Sequence, residues 1–131
     1  LEYKGYAYQN MQIDGIFSNR KFNGTFTAND PNLIGSLDGV IDLEGESPHF
    51  DLLVYLDKID FKKTNFTNEN IDFKGILEFD FYGNDLDNFN GTAQIKEADI
   101  FHDGLRLPFD SLRLQSSTEG DRKTISLKSN Y

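Results

Sequence analysis

The chain has 131 residues, which suits a single domain, and it contains no cysteine, which excludes a disulfide framework, a thiolate metal site and a cysteine nucleophile. Its net charge of −9 makes binding to nucleic acid or to an anionic membrane surface unfavourable. The apolar residues include 12 Phe and 6 Tyr but no Trp, and no apolar run reaches the length of about 18 residues that a membrane-spanning helix needs. Aromatic residues at this frequency favour a β-rich domain.

Five strands are predicted in the first half of the chain, because apolar and polar residues alternate there with a period of two. In the segment LIGSLDGVIDL, for example, Leu37 and Ile41 lie on one face and Asp38 and Asp42 on the other. The segment HFDLLVYLDKI is apolar in both registers, which predicts a strand buried on both sides. The predicted strands are 3–8, 11–18, 21–29, 33–44 and 49–57.

The alternation stops at KKTNFTNEN, residues 62–70, where a short helical turn or a loop is expected. It resumes beyond this segment. Strands are predicted there at 71–82, 89–97, 105–109, 110–117 and 122–130. Gly, Pro, Asn and Asp favour turns, and turns are therefore predicted at SNRK, NDPN, EGESP, GNDLDN, HDG and TEGD.

The sequence FNGT occurs twice, in FNGTFTA (22–28) and in FNGTAQI (89–95). In both copies Phe and Gly share the apolar register, whereas Asn and Thr lie on the polar side. A glycine in a strand removes bulk from its face and lets the sheet curl towards that face. The repeat predicts a curled hairpin unit used twice, with repeat units around 11–57 and 71–130. The chain opens LEYKGY, without Met or a charged-then-apolar leader, so we expect it to be a single β-rich segment, 1–131, of a longer protein.

The fold class expected from these patterns is all-β, with at most one short helix. Strands with one apolar and one polar face are typical of an antiparallel sheet that is wet on one side. Glycines on the apolar register predict a highly curved sheet, either a taco-like gutter or a partly closed β-sandwich or barrel. Alternation does not distinguish an ordinary closed core from a lined groove, and both interpretations stay open at this point.

A set of apolar residues shares the register that faces the inside of the predicted curved sheet. If the sheet is open, these residues are expected to line an apolar groove. The candidate groove residues are Ile13, Phe17, Phe22, Phe26, Leu37, Ile41, Leu43, Phe50, Leu52, Val54, Phe73, Leu77, Phe79, Phe81, Ile95, Leu112, Leu114, Ile125 and Leu127.

The chain offers little that suggests catalysis. Its two histidines, His49 and His102, both lie beside predicted turns, where a histidine is usually a solvated surface residue. Nucleophile-elbow, zinc-helix and phosphate-loop motifs are all missing. A calcium loop that began at Asp85 would need Gly at its sixth position, where the chain has Asn90. We therefore expect no enzyme activity, no metal and no cofactor.

Two long segments resemble one protein family. NLIGSLDGVIDLEGESPHFDLLVYLDKIDFKKTNF contains a Gly-spaced strand, a tight turn, the pattern P-x-F-D-L and a second apolar strand. NFNGTAQIKEADIFHDGLRLPFDSLRLQSS contains F-x-G-x-A-x-I-x-x-A-x-I, a Gly turn and D-S-L-R-L. Over most of residues 11–130 this texture is similar to the TamB/AsmA-like family of bacterial envelope proteins, and most of all to the TamB-type members of Bacteroidota.

The resemblance implies a long, curved antiparallel sheet with a hydrophobic interior. It also implies a periplasmic position in the cell envelope, an inner-membrane anchor on the full-length protein and an Omp85-type outer-membrane partner. Two functions are implied by the resemblance. One is the transport of phospholipid, whose acyl chains the groove would hold, between the inner and outer membranes, and the other is the assembly of outer-membrane proteins. A different class of function, an extracellular β-sandwich module for adhesion or glycan binding, is the alternative. Glycan binders place Tyr or Trp on an exposed polar face, whereas Phe on the apolar register predominates here.

Overall fold

The computed structural model describes residues 1–83 and 89–130 of the chain. The strands, in chain order, are β1 (Glu2–Tyr3), β2 (Tyr6–Ala7), β3 (Met11–Ser18), β4 (Lys21–Asp30), β5 (Leu33–Asp42), β6 (His49–Asp60), β7 (Ile71–Tyr82), β8 (Asn90–His102), β9 (Leu105–Glu119) and β10 (Arg122–Asn130). This part of the chain forms no helix, and hence none that is long and apolar enough to cross a membrane. The all-β prediction is confirmed.

Strands β3 to β10 form one eight-stranded antiparallel sheet in which every strand pairs with its neighbours in the sequence. Strands β3 and β10 lie at opposite edges and do not pair with each other, so the sheet is open rather than a barrel. Two-residue turns join several strands. Asn19 and Arg20 have φ of 53° and 61°, and Asp103 and Gly104 have φ of 52° and 82°. Two successive residues with positive φ are typical of the type I′ hairpin turn, whose twist matches that of the strands.

The cross-strand register places the apolar residues of neighbouring strands opposite one another. One such row, from β4 to β9, consists of Phe26, Leu37, Val54, Leu77, Ile95 and Leu112. We call the side of the sheet that carries this row the inner face. A slip of one residue in any strand would move its apolar residues to the other side, so each pairing reinforces the next.

The FNGT glycines lie on the inner face where two backbones approach closely. A Cβ on Gly24 would lie 2.5 Å from the Asp14 carbonyl oxygen and 2.9 Å from the tip of the Phe22 ring. Gly91, with φ of 143°, has still less room, because a Cβ there would lie 2.2 Å from the Asp80 carbonyl oxygen. These distances agree with the predicted role of the glycine, which is to remove bulk from the inner face.

Two β-bulges interrupt the register at about the same level of the sheet. β6 has one extra residue between Leu56 and Ile59, and the register of β8 shifts near Glu97, whose φ is 48°. The bulges flank β7, where Gly75 is buried and a Cβ would lie 3.1 Å from the Cβ of Ala98. Bulges bend a strand and increase its twist, so this pair adds curvature beyond that which the glycines allow.

Four predicted strands differ from the structure. The predicted strand 89–97 ends five residues before β8 does, at His102. The predicted strand 3–8 is a small hairpin, because Lys4 and Gly5 have φ of 51° and 76° and reverse the chain between β1 and β2. The predicted strands 105–109 and 110–117 are one strand, β9. It passes through Pro108, which has no backbone N–H to donate. This is tolerated because β10 pairs only with residues 111–119, leaving β8 as the one described neighbour of Pro108.

The prediction that β6 is buried on both sides is wrong. Tyr55, on the side opposite the inner face, is 45% exposed, because no second layer covers that side of the sheet among the described residues. The predicted break at 62–70 is a loop, in which the Thr64 amide donates to the Asp60 carbonyl at 3.1 Å. The turn predicted at GNDLDN falls largely on residues 84–88, which lie outside the described residues.

Replacing Gly91 by alanine tests the close approach of β7 and β8. The substitution Gly91→Ala is expected to lower the free energy of unfolding by about 2 kcal/mol or more, since the new Cβ meets backbone that cannot move aside. Gly45→Ala is the matched control, because Gly45 also has a positive φ, of 82°, but a Cβ there meets nothing within 4 Å. Urea denaturation of both variants measures the difference, and equal losses would contradict the close-approach explanation.

Candidate functional site

The inner face is an apolar surface that most of the candidate groove residues share. The cross-strand pairs place the candidate residues of β3 to β10 in common rows, and Leu43 follows β5 in the same alternation. The residues on the central strands are half-buried, whereas those on the two edge strands are exposed. Ile13 and Leu127, for example, are 66% and 64% exposed. The surface is therefore open along both edges.

This surface has no ordinary core. Among the described hydrophobic residues only Ala28 and Ala98 are buried, at 7% and 2% exposure. A domain that packs two layers together buries many Leu, Ile, Val and Phe side chains. In the part of the chain that the structure describes, the side chains of the inner face instead pack against their own sheet alone. The structure thus favours the open groove over the closed core, two alternatives that alternation left undecided.

The sheet curls enough to form a concave cavity of about 650 Å³ at one end of the inner face. Phe50 on β6 and Ile125 on β10 both line it. Four strand spacings separate these strands, so a flat sheet would hold the two residues about 19 Å apart. The other lining residues are Phe79, Phe81, Gly83, Phe89, Ala93, Leu114, Ser116 and Lys123.

Four phenylalanines form the wall of the cavity. The Phe81 ring stacks on Phe50 with centroids 4.9 Å apart, meets Phe89 at 4.7 Å and meets Phe79 edge-on at 6.3 Å. Such pairs contribute about 0.5–1.5 kcal/mol each beyond the area that they bury. The rings therefore hold one another in place, although no second layer from the described residues packs against them. The result is a preformed apolar wall with Phe81 at its centre.

Several residues of the site were missing from the sequence prediction. Phe89 and Ala93 lie on the apolar register predicted for FNGTAQI, but neither was among the candidate groove residues. Ser116 continues the alternation of Leu112 and Leu114; its hydroxyl donates to the Phe89 carbonyl at 2.9 Å and needs no further partner. Ile59 returns to the inner face only because of the bulge in β6, which has no sequence signature.

The opposite end of the inner face is capped by the N-terminal segment. The β1–β2 hairpin lies against the 61–70 loop, where the Asn65 side chain donates to the Lys4 carbonyl at 2.8 Å and the Phe66 ring lies 6.0 Å from Tyr3. The last residue of β4, Asp30, lies on the inner-face register at this end and is 1% exposed. One end of the groove is thus closed by polar contacts, whereas the other is an apolar cavity.

Asp30 is the centre of this cap. Its carboxylate accepts hydrogen bonds from the Tyr6 hydroxyl, from the backbone N–H of Gln9 at 2.7 Å and from the backbone N–H of Asn32 at 2.9 Å. Burial alone would raise the pKa of the Asp30 carboxyl, but these donors outweigh burial and hold the pKa below its ordinary value. The same bond raises the pKa of the Tyr6 hydroxyl, chiefly because Tyr6 donates to the Asp30 carboxylate.

The other face of the sheet carries charged and polar side chains in cross-strand pairs. His49 stacks on Tyr82 at 4.1 Å and places Nε2 2.7 Å from an Asp80 carboxylate oxygen, so it is more ordered than the solvated turn histidine that was expected. His102, by contrast, is on the inner-face side at the end of β8, since it pairs with Ile71; it is half-buried, with Nε2 3.6 Å from an Asp103 oxygen. In the described part of the chain, no group of three His, Asp or Glu could hold a metal ion.

Comparison of the chain with protein-family models, with curated proteins and with solved structures found no match. Function is therefore inferred from the geometry of the inner face, together with the resemblance described for the sequence.

The cap predicts a pH dependence of stability. Because the pKa of Asp30 is lowered on folding, its ionisation stabilises the fold above the ordinary value of 3.8, and this contribution is lost as the pH falls through the lower pKa of the folded protein. Asp30→Asn should therefore lower the melting temperature at neutral pH and flatten the loss of stability on the acid side. Thermal unfolding between pH 2 and 7, followed by circular dichroism, measures both effects.

Asp14→Asn is the control for this experiment, since Asp14 is an exposed carboxylate on β3. It should leave the acid side of the stability profile unchanged. Tyr6→Phe removes one donor to Asp30 and should move the profile towards that of Asp30→Asn. An acid profile of Asp30→Asn identical to that of the unmodified chain would refute the assignment.

Proposed function

We propose that this chain is a non-catalytic periplasmic segment of a TamB/AsmA-like envelope protein, and that its inner face holds phospholipid acyl chains in transit between the inner and outer membranes. The observation that supports the proposal is the inner face itself, a concave apolar surface that remains half-exposed across the central strands. A large contiguous apolar patch on a folded protein generally marks a binding surface.

Acyl chains suit this surface chemically. They need continuous apolar contact and no hydrogen bonds, and the rows of the inner face provide that contact across six strands. The cavity volume of about 650 Å³ lies in the range typical of sites for small ligands.

The dimensions also suit a lipid chain that lies along the strands. The eight residue steps from Phe73 to Phe81 on β7 span about 27 Å at the usual rise per residue. One leaflet of a bilayer has a hydrocarbon thickness of about 15 Å, half of the usual core. The inner face is therefore long enough for an extended acyl chain to lie wholly within it.

Inner-membrane anchoring, the periplasmic position and an Omp85-type outer-membrane partner belong to the same proposal and rest on the sequence resemblance. A role in outer-membrane protein assembly would use a different feature, the edge strands β3 and β10, to which an extended chain could add. The alternative of an adhesion or glycan-binding β-sandwich has less support, because the eight strands form one sheet rather than two facing sheets. Lipid transport remains the function that the apolar inner face favours.

A charge on the inner face tests the proposal. Leu77 lies in the middle of β7 on the inner face, and Ile76 precedes it on the opposite face; both are half-buried. Leu77→Asp should abolish lipid binding yet lower the free energy of unfolding by less than about 2 kcal/mol, because a carboxylate in an open groove stays hydrated. Ile76→Asp, the matched control, should have a similar effect on stability and retain lipid.

Native mass spectrometry of gently purified protein measures the bound lipid, and urea denaturation measures the stability. The proposal requires lipid on the unmodified chain and on Ile76→Asp, and none on Leu77→Asp. Lipid retained equally by both variants would exclude the inner face as the binding surface. Unfolding of Leu77→Asp alone would indicate that the inner face is a closed core in solution.

A further inference from the structure

The two edge strands of the sheet leave large apolar side chains in water. On β3, Ile13, Ile16 and Phe17 are 66%, 72% and 65% exposed. On β10, Ile125 and Leu127 are 62% and 64% exposed. Each edge also has backbone N–H and C=O groups that meet no partner strand among the described residues. Neither strand contains a proline, and β3 contains a single charged residue, so little protects these edges from pairing with a further strand.

The two edges match each other in direction and in level. β3 and β10 run in opposite directions, because the sheet is antiparallel and has eight strands. Through the register of the sheet, Phe17 on β3 lies in the same row as Ile125 on β10. Hydrogen-bonded and non-hydrogen-bonded pairs alternate along each row, so an even number of strands places the outward N–H and C=O groups of both edges in the same rows. A second copy of the sheet, placed beside the first at the same level, would therefore continue the ladder.

The edges also carry opposite charges. β10 contains three basic residues and no Asp or Glu, in a chain whose net charge is −9, whereas the one charged residue of β3 is Asp14. The register places Asp14 in the same row as Lys128, on the face opposite to the inner face, and both side chains are exposed. Opposite charges directly across a strand pair are favourable, and like charges are unfavourable. Pairing of β10 with β3 is therefore favoured over pairing of β10 with another β10.

We infer that β10 of one copy of this chain pairs antiparallel with β3 of a second copy, with residues 125–130 opposite residues 12–17. The pairing joins Phe17 to Ile125 on the inner face and Asp14 to Lys128 on the other face. It uses two different edges, so it is a head-to-tail contact, which generates rings or open arrays rather than closed dimers. The inference goes beyond lipid binding and does not depend on it. The apolar rows would run on from one copy into the next.

An exchange of the two charges tests the pairing. Sedimentation velocity over a range of protein concentrations should show dimers and larger species of the unmodified chain as the concentration rises. Asp14→Lys and Lys128→Asp should each weaken the association about tenfold, because each places like charges opposite one another at the contact. The double variant, with both substitutions, should restore the association, because the opposite charges are then present with their places exchanged.

The design separates this contact from an effect of overall charge. The two single substitutions change the net charge in opposite directions, so overall charge would strengthen the association of one variant and weaken that of the other. That result would overturn the inference, as would a double variant that keeps the circular dichroism of a β-sheet and stays as weakly associated as the single variants. An unmodified chain that remains monomeric throughout would also overturn it and would leave the edges to a different partner strand.

The register of the contact has its own test, because the chain contains no cysteine. Ile13 on β3 lies in the same row as Ser129 on β10. An equal mixture of Ile13→Cys and Ser129→Cys, treated with a short bismaleimide, should give a cross-link between the two variants. A mixture of Ile13→Cys and Ile125→Cys is the matched control and should give far less, since Ile125 lies about 13 Å from Ser129 along β10. Equal yields from the two mixtures, or the same yield from either variant alone, would overturn the register.

Discussion

The structure depends on a ladder of apolar residues that stay in register from strand to strand. Phe26 meets Leu37, Leu37 meets Val54, Val54 meets Leu77, and the row continues to Leu112. Each cross-strand pair is a small contribution, of about 0.2–1 kcal/mol, but every pair also fixes which side of the next strand is apolar. The two bulges keep this arrangement, since Ile59, Phe73 and Ile100 still meet one another beyond them.

A single curved layer gives its side chains support from one side only. The four phenylalanines of the cavity compensate by contacting one another, and the Asp30 cap ties the N-terminal hairpin to the sheet. An apolar molecule in the groove would supply contacts from the missing side. Stability and occupancy would then be coupled, because a ligand that binds the folded state alone raises its stability with concentration.

Alternation was sufficient to predict strands β3 to β7 and, in all of them except β6, the side of the strand that is apolar, because a period of two is a local property of the chain. The β6 segment is apolar in both registers, so its inner side was not fixed by alternation. Three features depend on more than local pattern. The bulges near Asp57 and Glu97 have no distinctive residue types, and Pro108 is tolerated only because β10 does not pair with that part of β9. Periodicity also says which face is apolar but not what covers it.

The place of Lys123 shows the same limit at a single residue. Its spacing from Ile125 and Leu127 assigns it to the inner face, yet nothing in the local sequence shows that it lines a cavity. The curvature that brings β10 to the cavity of Phe50 and Phe81 is a property of the whole sheet. No short segment of the sequence determines this curvature.

The order of the strands has a consequence for how the chain folds. Every strand of the large sheet contacts only the strands next to it in the sequence, so the sheet is close to a one-dimensional array. Paired strands are close in the sequence, so little chain entropy is lost when each loop closes. The sheet is therefore able to grow one hairpin at a time as the chain is synthesised, without waiting for a distant segment. In the isolated 131-residue segment, such an array loses its edge strands before its central ones, because each edge strand is held by one neighbour.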